Sequence, residues 1–352
     1  SMIVKTSNQN VKIAGTGIYI PDNSYDNEAV MQMIKKALPS DDPRLSKLSA
    51  QWVSDNIGIN SRYYADMTRE ENPETQTNMS LWSLQDALGK ANWNPETLDL
   101  IIVSTSTKSA SPGVNSIPSV ASQVQSHVGA WNASAYDMAA ACSGWTYASS
   151  QAMAYMISGM AKRVAVICTE TQQRGMDYTN PTTSVLFGDV SATTLFELSE
   201  DSNLLHLDIQ GNTKTDDPNI IRCQYANPWG DPGSTPYPAF GLDGKTVFKT
   251  GIKRMCKMTK EALAATGLEK EEVQHYIFHQ ANGAMILHVG SRLGLDASQV
   301  PINLDTFANT TSGTIPSVLH CSIENGRIKK GDKIMFISFG GGITAGAILM
   351  EY

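Results

Sequence analysis

Two stretches of 22 residues in this chain line up without a gap. Asp86–Thr107 reads DALGKANWNPETLDLIIVSTST, and Glu261–Asn282, 175 positions later, reads EALAATGLEKEEVQHYIFHQAN. Each is a helix end, a polar turn and an apolar strand that stops in polar residues. One such pair carries little weight, because any two helix–turn–strand units look alike. A second pair follows in the same order: KRVAVICTE at Lys162–Glu170 is echoed by DKIMFISFG at Asp332–Gly340, 170 positions later. Both offsets are about half of the 352 residues. Duplication of one α/β unit is the simplest account, and the chain is long enough for each half to build a core. The boundary is expected at Glu200–Asn203, giving an N-terminal half 1–200 and a C-terminal half 201–352.

Short apolar runs bounded by turn residues predict strands at Val11–Ile20, Leu100–Ser104, Arg163–Cys168, Leu204–Gln210, His275–Phe278 and Lys333–Ser338. Helical periodicity predicts helices at Ser80–Ala91, Ile117–Val128, Ser143–Ser158, Thr250–Ala265 and Gly283–Leu293. The alternation reads as α/β with strands buried on both faces. Gly211–Gly244 is rich in Asn, Asp, Pro and Gly and reads as a long excursion over the surface or over a site. It ends at an Asp243-Gly244 turn that enters a strand or a helix.

Composition removes several classes of function. No apolar run approaches the ~18 residues of a membrane span, and the N-terminus lacks the basic-then-apolar pattern of a secretory signal. The five cysteines are widely spaced, odd in number and free of any C-x-x-C pair. A disulfide framework and a zinc site are not expected, and a reducing cytoplasm fits. A net charge of −7 argues against general affinity for nucleic acid.

Cys142 stands in MAAACSGWTY, where a strand meets a helix. Amide groups at a helix start favour thiolate, and the small neighbours leave room for a substrate. Taken alone, the residue reads rather as a small buried thiol, since most cysteines are inert. His279 ends the strand of YIFHQAN, and Asn309 lies in the polar turn FANTTSGTIPS before a further helix. Each alone suits an ordinary satisfied polar residue. Together, Cys142, His279 and Asn309 supply a nucleophile with candidate partners at element ends. Gly340, Gly341 and Gly342 follow the strand KIMFIS, where glycine backbone can approach a ligand and aim N–H groups at an oxyanion; a plain tight turn is the other reading.

ACSGW, HQAN, NTTSGTIP and the C-terminal SFGGGITAGAILMEY resemble β-ketoacyl-acyl-carrier-protein synthase III, of the thiolase superfamily. FGDVSATTLF and DGKTVFKTGIKRM are similar to segments of the same family, and the likeness runs over nearly the whole chain. The resemblance implies the duplicated five-layer α-β-α-β-α thiolase fold, a homodimer, and no metal or organic cofactor. It implies that Cys142 takes an acyl group from a thioester, with oxyanion donors from the Cys142 and Gly341 backbone. His279 and Asn309 then hold a malonyl-type or β-ketoacyl thioester, whose carbanion attacks the acyl group. Trp52, Ile117, Asn282, Gly340 and Gly342 fall at substrate-binding positions.

Departures from the pattern bear on the substrate. Asn56 stands where the family carries an arginine that helps bind coenzyme A, and Pro181 and Ala284 stand where it carries two further arginines. Ile117 stands where a dimer partner's aromatic side chain closes the acyl pocket. These changes imply a larger, carrier-bound acyl group and specialised lipid or polyketide synthesis rather than an acetyl-coenzyme A starter. Lys249, Lys253, Arg254, Lys257 and Lys260 cluster largely on one helix face, which suits an acidic carrier protein or simply solvent. Two other activities share these residues: acyl transfer to an oxygen or nitrogen nucleophile on the same fold, and a papain-like hydrolase. The internal repeat and the position of Cys142 deep in the chain disfavour the hydrolase.

Overall fold

The computed structural model describes residues 2–6, 9–108, 117–225 and 238–352. In chain order its strands are β1 (Met2–Thr6), β2 (Val11–Tyr19), β3 (Asn23–Asp26), β4 (Ser61–Tyr64), β5 (Leu100–Ser104), β6 (Ser134–Met138), β7 (Arg163–Glu170), β8 (Val190–Leu198), β9 (Leu204–Gln210), β10 (Ile221–Tyr225), β11 (Pro238–Leu242), β12 (His275–Phe278), β13 (Lys333–Gly340) and β14 (Thr344–Glu351). They form two five-stranded sheets, ordered β2-β8-β7-β5-β6 and β1-β9-β14-β13-β12, and two antiparallel two-stranded sheets, β3–β4 and the hairpin β10–β11.

The two sheets repeat one another. In the first, β5 runs parallel to β7, and β7 pairs antiparallel with β8, which pairs with β2. In the second, β12 runs parallel to β13, and β13 pairs antiparallel with β14, which pairs with β9. The strands of the two sequence echoes therefore occupy matching places. The sheets differ at their edges, where β6 extends one and β1 the other.

Helices fill three layers. Gln76–Ala91 and Val120–Val128 cover the outer face of the first sheet, and Gly244–Thr266 with Gly283–Leu293 covers the outer face of the second. Gly144–Ile157 and Thr314–Glu324 lie between the sheets. This is the expected five-layer α-β-α-β-α arrangement. Its apolar side chains form three main clusters, one under each outer layer and one between the sheets around Trp145, Phe196 and Phe336. All of the apolar side chains in β5 and β12 are buried, which is why these strands read as continuous runs.

The helix expected from Thr250 begins earlier, at Gly244. Asp243 caps it by accepting from the Thr246 N–H at 3.1 Å. Close packing elsewhere rests on small residues. A Cβ at Gly17 on β2 would overlap the backbone of Ser83 and Ala87 in the outer helix. Gly17→Ala is expected to push that helix off the sheet at a cost of about 1–3 kcal/mol. The readout is a lower denaturant midpoint with an unchanged m-value.

Candidate active site

β6 ends at Met138, and a short 3₁₀ turn, Ala141–Ser143, carries Cys142 to the start of the helix Gly144–Ile157. Ala141 adopts φ +48°, in the left-handed region that a Cβ disfavours. Across the repeat, Thr311–Gly313 forms the matching turn before Thr314–Glu324, and Thr311 has φ +56°. Ala308, just before Asn309, has φ +58° and ψ −162°. Strain of about 1–3 kcal/mol per residue therefore flanks both the cysteine and the asparagine, held by the packing around them.

Cys142, His279 and Asn309 line a single cavity of about 340 Å³. Gly341, Met176, Leu186, Phe187, Ile221, Phe240, Val247 and Phe339 complete much of its wall. The hairpin β10–β11 supplies Ile221, Cys223, Phe240 and Leu242, so the long excursion does border the site; residues 226–237 lie outside the described residues. Phe240 meets Phe187 edge-on, with centroids 5.0 Å apart. Gly340 packs against the cysteine from β13: a Cβ there would lie 2.9 Å from the Cys142 nitrogen and Cβ. Gly342 needs to be glycine at φ +135°, and its carbonyl accepts from Asn212 at 2.6 Å.

The electrostatics favour uncharged groups. Burial pushes the Cys142 thiol up to about 12, the Glu170 carboxylate adds to the rise, and the residue's own backbone N–H pulls weakly down. Desolvation is the largest of these influences on the resting thiol. Burial also drives His279 down to about 3, so its imidazole is neutral at physiological pH. His279 Nδ1 lies 2.7 Å from Thr314 Oγ1. Asn309 is fixed on both sides: its Oδ1 accepts from the Thr311 N–H at 2.8 Å, and its carbonyl accepts from Gly188 N–H and from Gln172 Nε2 at 3.0 Å. With Oδ1 occupied, the amide N–H₂ is the end left to donate. Glu170 is buried near the cysteine; burial raises its carboxyl to about 8, and it accepts from the Ser106 N–H at 2.6 Å.

The remaining expected residues are dispersed. Asn282 lines the cavity and also caps the helix Gly283–Leu293 through the Met285 N–H at 2.8 Å. Trp52 and Ile117 are 43% and 85% exposed and do not line the cavity of this single chain. Lys249, Lys253, Lys257 and Lys260 are exposed on the outer face of Gly244–Thr266. Arg254 is not part of that face. It is buried, pairs with Asp216 at 2.6 Å and donates to the Gly211 carbonyl at 3.1 Å, so it anchors the excursion to the helix instead of meeting a partner. Sequence reasoning also passed over Thr314, Gln172 and Glu170; only the dense polar run NTTSGT hinted at the first. The five cysteines are all free. Among the described residues no His, Cys, Asp and Glu side chains gather in a set of three suited to a metal ion, and no helix is long and apolar enough to cross a membrane.

Comparison with known proteins agrees with this geometry. Residues 136–213 match the family model for 3-oxoacyl-[acyl-carrier-protein] synthase III, and residues 263–352 match that for its C-terminal part. The β-ketoacyl-[acyl-carrier-protein] synthase III of Aquifex aeolicus is 32% identical over 341 residues, covering 97% of this chain and 99% of the relative. The chain belongs to the β-ketoacyl-acyl-carrier-protein synthase III family. A synthase III from Neisseria gonorrhoeae is also 32% identical, over 98% of this chain and all of its own. The crystal structure of the Aquifex enzyme superposes with a TM-score of 0.82 over 97% of this chain and all of that one. The priming β-ketosynthase of the R1128 polyketide pathway, 24% identical, shares the fold with a TM-score of 0.85 over 98% of this chain and 97% of its own. The chain is thus a synthase III-type condensing enzyme with the thiolase fold.

The neutral state of His279 has a consequence for stability. The unfolded chain takes up a proton at an ordinary histidine pKa, about 6.5, whereas the folded site resists protonation until about 3. Stability is therefore lost as pH falls through that window. His279→Gln is expected to remove this component, read as a smaller drop in denaturant midpoint between pH 7 and pH 5 than in the parent protein.

Proposed function

We propose that this enzyme joins a Cys142-bound acyl group to a malonyl-type thioester by decarboxylative Claisen condensation. The observation that carries the reading is the meeting, on one largely apolar cavity, of a cysteine from the first half with two neutral hydrogen-bond donors from the second. In the first step Cys142 sulfur attacks the acyl thioester, the old carbon–sulfur bond breaks, and the cysteine proton leaves with the departing thiol. The backbone N–H groups of Cys142 and Gly341 are the oxyanion donors.

In the second step the extender's carboxylate leaves as carbon dioxide, and the bonding electrons pass into the enolate. His279 Nε2–H and the Asn309 amide donate to the enolate oxygen. Neither is charged, so neither readily surrenders a proton to the carbanion. The carbanion attacks the acyl carbon, and the sulfur of Cys142 leaves and regains a proton.

The apolar wall supports an acyl group longer than acetyl. The uncharged Asn56, Pro181 and Ala284, beside the exposed Lys249, Lys253 and Lys257, support a carrier-bound substrate and a role in specialised lipid or polyketide synthesis. A homodimer is part of the reading: among the described residues β6 is paired on one side only, and Ile117 stands exposed where a second subunit would use it. Acyl transfer to an oxygen or nitrogen nucleophile is the second reading. It needs the cysteine but gives His279 and Asn309 no enolate to hold, and it releases no carbon dioxide.

Intact-mass spectrometry with acyl thioesters on coenzyme A and on carrier protein tests the first step. One acyl group should add to the parent enzyme and none to Cys142→Ala; acylation of that variant rejects the nucleophile assignment. Carbon dioxide release from a malonyl thioester then separates the two readings. The double variant Lys253→Glu/Lys257→Glu should raise KM for a carrier-bound acyl group by about three- to tenfold while leaving a pantetheine thioester unaffected.

A further inference from the structure

The hydroxyl of Thr314 has no part in the steps above, yet it is the polar atom set against the His279 ring. Both residues are buried, at 1% and 3% exposure. Thr314 Oγ1 lies 2.7 Å from His279 Nδ1 and 3.3 Å from the Thr311 carbonyl. A hydroxyl has one proton, so two arrangements compete. In one, it donates to Thr311 and accepts from Nδ1–H, leaving Nε2 as a bare lone pair. In the other, it donates to Nδ1, and the ring proton sits on Nε2.

The distances separate these. O–H···O bonds run about 2.5–3.0 Å, so 3.3 Å to the Thr311 carbonyl is outside their range, while N–H···O bonds run about 2.7–3.2 Å, so 2.7 Å is at their short limit. The Nδ1 contact has the length of a hydroxyl-donated bond, and the Thr311 contact is long. We propose that Thr314 is a positioning residue whose hydroxyl donates to His279 Nδ1 and so keeps the ring proton on Nε2, the nitrogen left to face the thioester. This assignment rests on the condensation reading, because only an enolate needs a donor there. A bare Nε2 would set a lone pair against an oxygen gaining negative charge, and would act as a base toward nearby protons.

The repeat places the contact in context. Thr314 is the first residue of the second inter-sheet helix, and Gly144 is the first residue of its counterpart. His279 corresponds to Ser104, and Gly144 packs directly on Ser104. The same helix-start against strand-end contact thus occurs twice. Where the strand end carries a ring to orient, the helix start carries a hydroxyl; where it carries serine, the helix start is glycine.

The test compares Thr314→Val, which keeps the shape and loses the hydroxyl, with Thr314→Ser, which keeps it. In Thr314→Val, acylation of Cys142 by intact mass should stay within about threefold of the parent. Carbon dioxide release should fall on the order of 10²-fold, the cost of losing one oxyanion-type donor. Thr314→Ser should restore release to within about threefold. In ¹⁵N-histidine-labelled protein, with His279 assigned by its loss in His279→Gln, the ring should be the Nε2–H tautomer in the parent and in Thr314→Ser. Unchanged release in Thr314→Val, an equal fall in both half-reactions, or an Nδ1–H tautomer in the parent overturns the proposal. If the parent acylates but releases no carbon dioxide, the condensation reading fails, and the ring spectrum still decides the hydrogen bond.

Discussion

Two helices start against each other at the centre of this protein, and Gly144 makes their approach possible. A Cβ there would overlap Ser104 Oγ and lie 2.7 Å from Ser312 Cβ. Cys142 stands just before one helix. Asn309 and the turn Thr311–Gly313 stand just before the other, and Thr314 ties that second helix to His279. The separation of Cys142 from His279 and Asn309 therefore depends on how closely the helix starts can pack. Chemistry between groups on different halves tolerates little slack, which is why a contact with no reactive atom governs the rest.

The repeat has diverged around this contact so that two halves make one site. Cys142, His279 and Gly340 correspond to Ser312, Ser104 and Glu170. At Gly340 the backbone of Cys142 comes close because no side chain intervenes. At the matching place the Glu170 side chain is buried, its carboxyl bonded to Ser106 and drawn on by the Ser312 amide. Ser312 itself is buried, its hydroxyl 3.4 Å from the Ser104 carbonyl. One junction lines a cavity and the other is filled.

Much of this was legible where physics acts locally. β5, β7, β12 and β13 are buried on both faces, so their sequences are unbroken apolar runs, and Gly283–Leu293 shows its helix period plainly. The pattern of β8 does not announce a strand. Its VSATTLFEL carries hydroxyls that a solvent face would explain, but Ser191 and Thr193 are buried and bonded to Ser83 on the outer helix. Helical spacing places Arg254 with the exposed lysines because it is blind to Asp216, which reaches it from the distant excursion. The burial that pushes the Cys142 thiol up is equally out of reach of helical spacing. A helix start is visible in a sequence, whereas the depth of burial is a property of the assembled layers.

The three side chains that meet at the cavity are uncharged at neutral pH, and the exposed lysines of Gly244–Thr266 are on an outer face. Ionic strength reaches these two regions unequally. At physiological salt, charges in solvent are screened beyond about 8 Å, while a buried, neutral constellation has no ionic atmosphere to lose. Electrostatics at this outer face and at the cavity are thereby governed by separate variables. The lysines can be changed without altering the packing around the cavity.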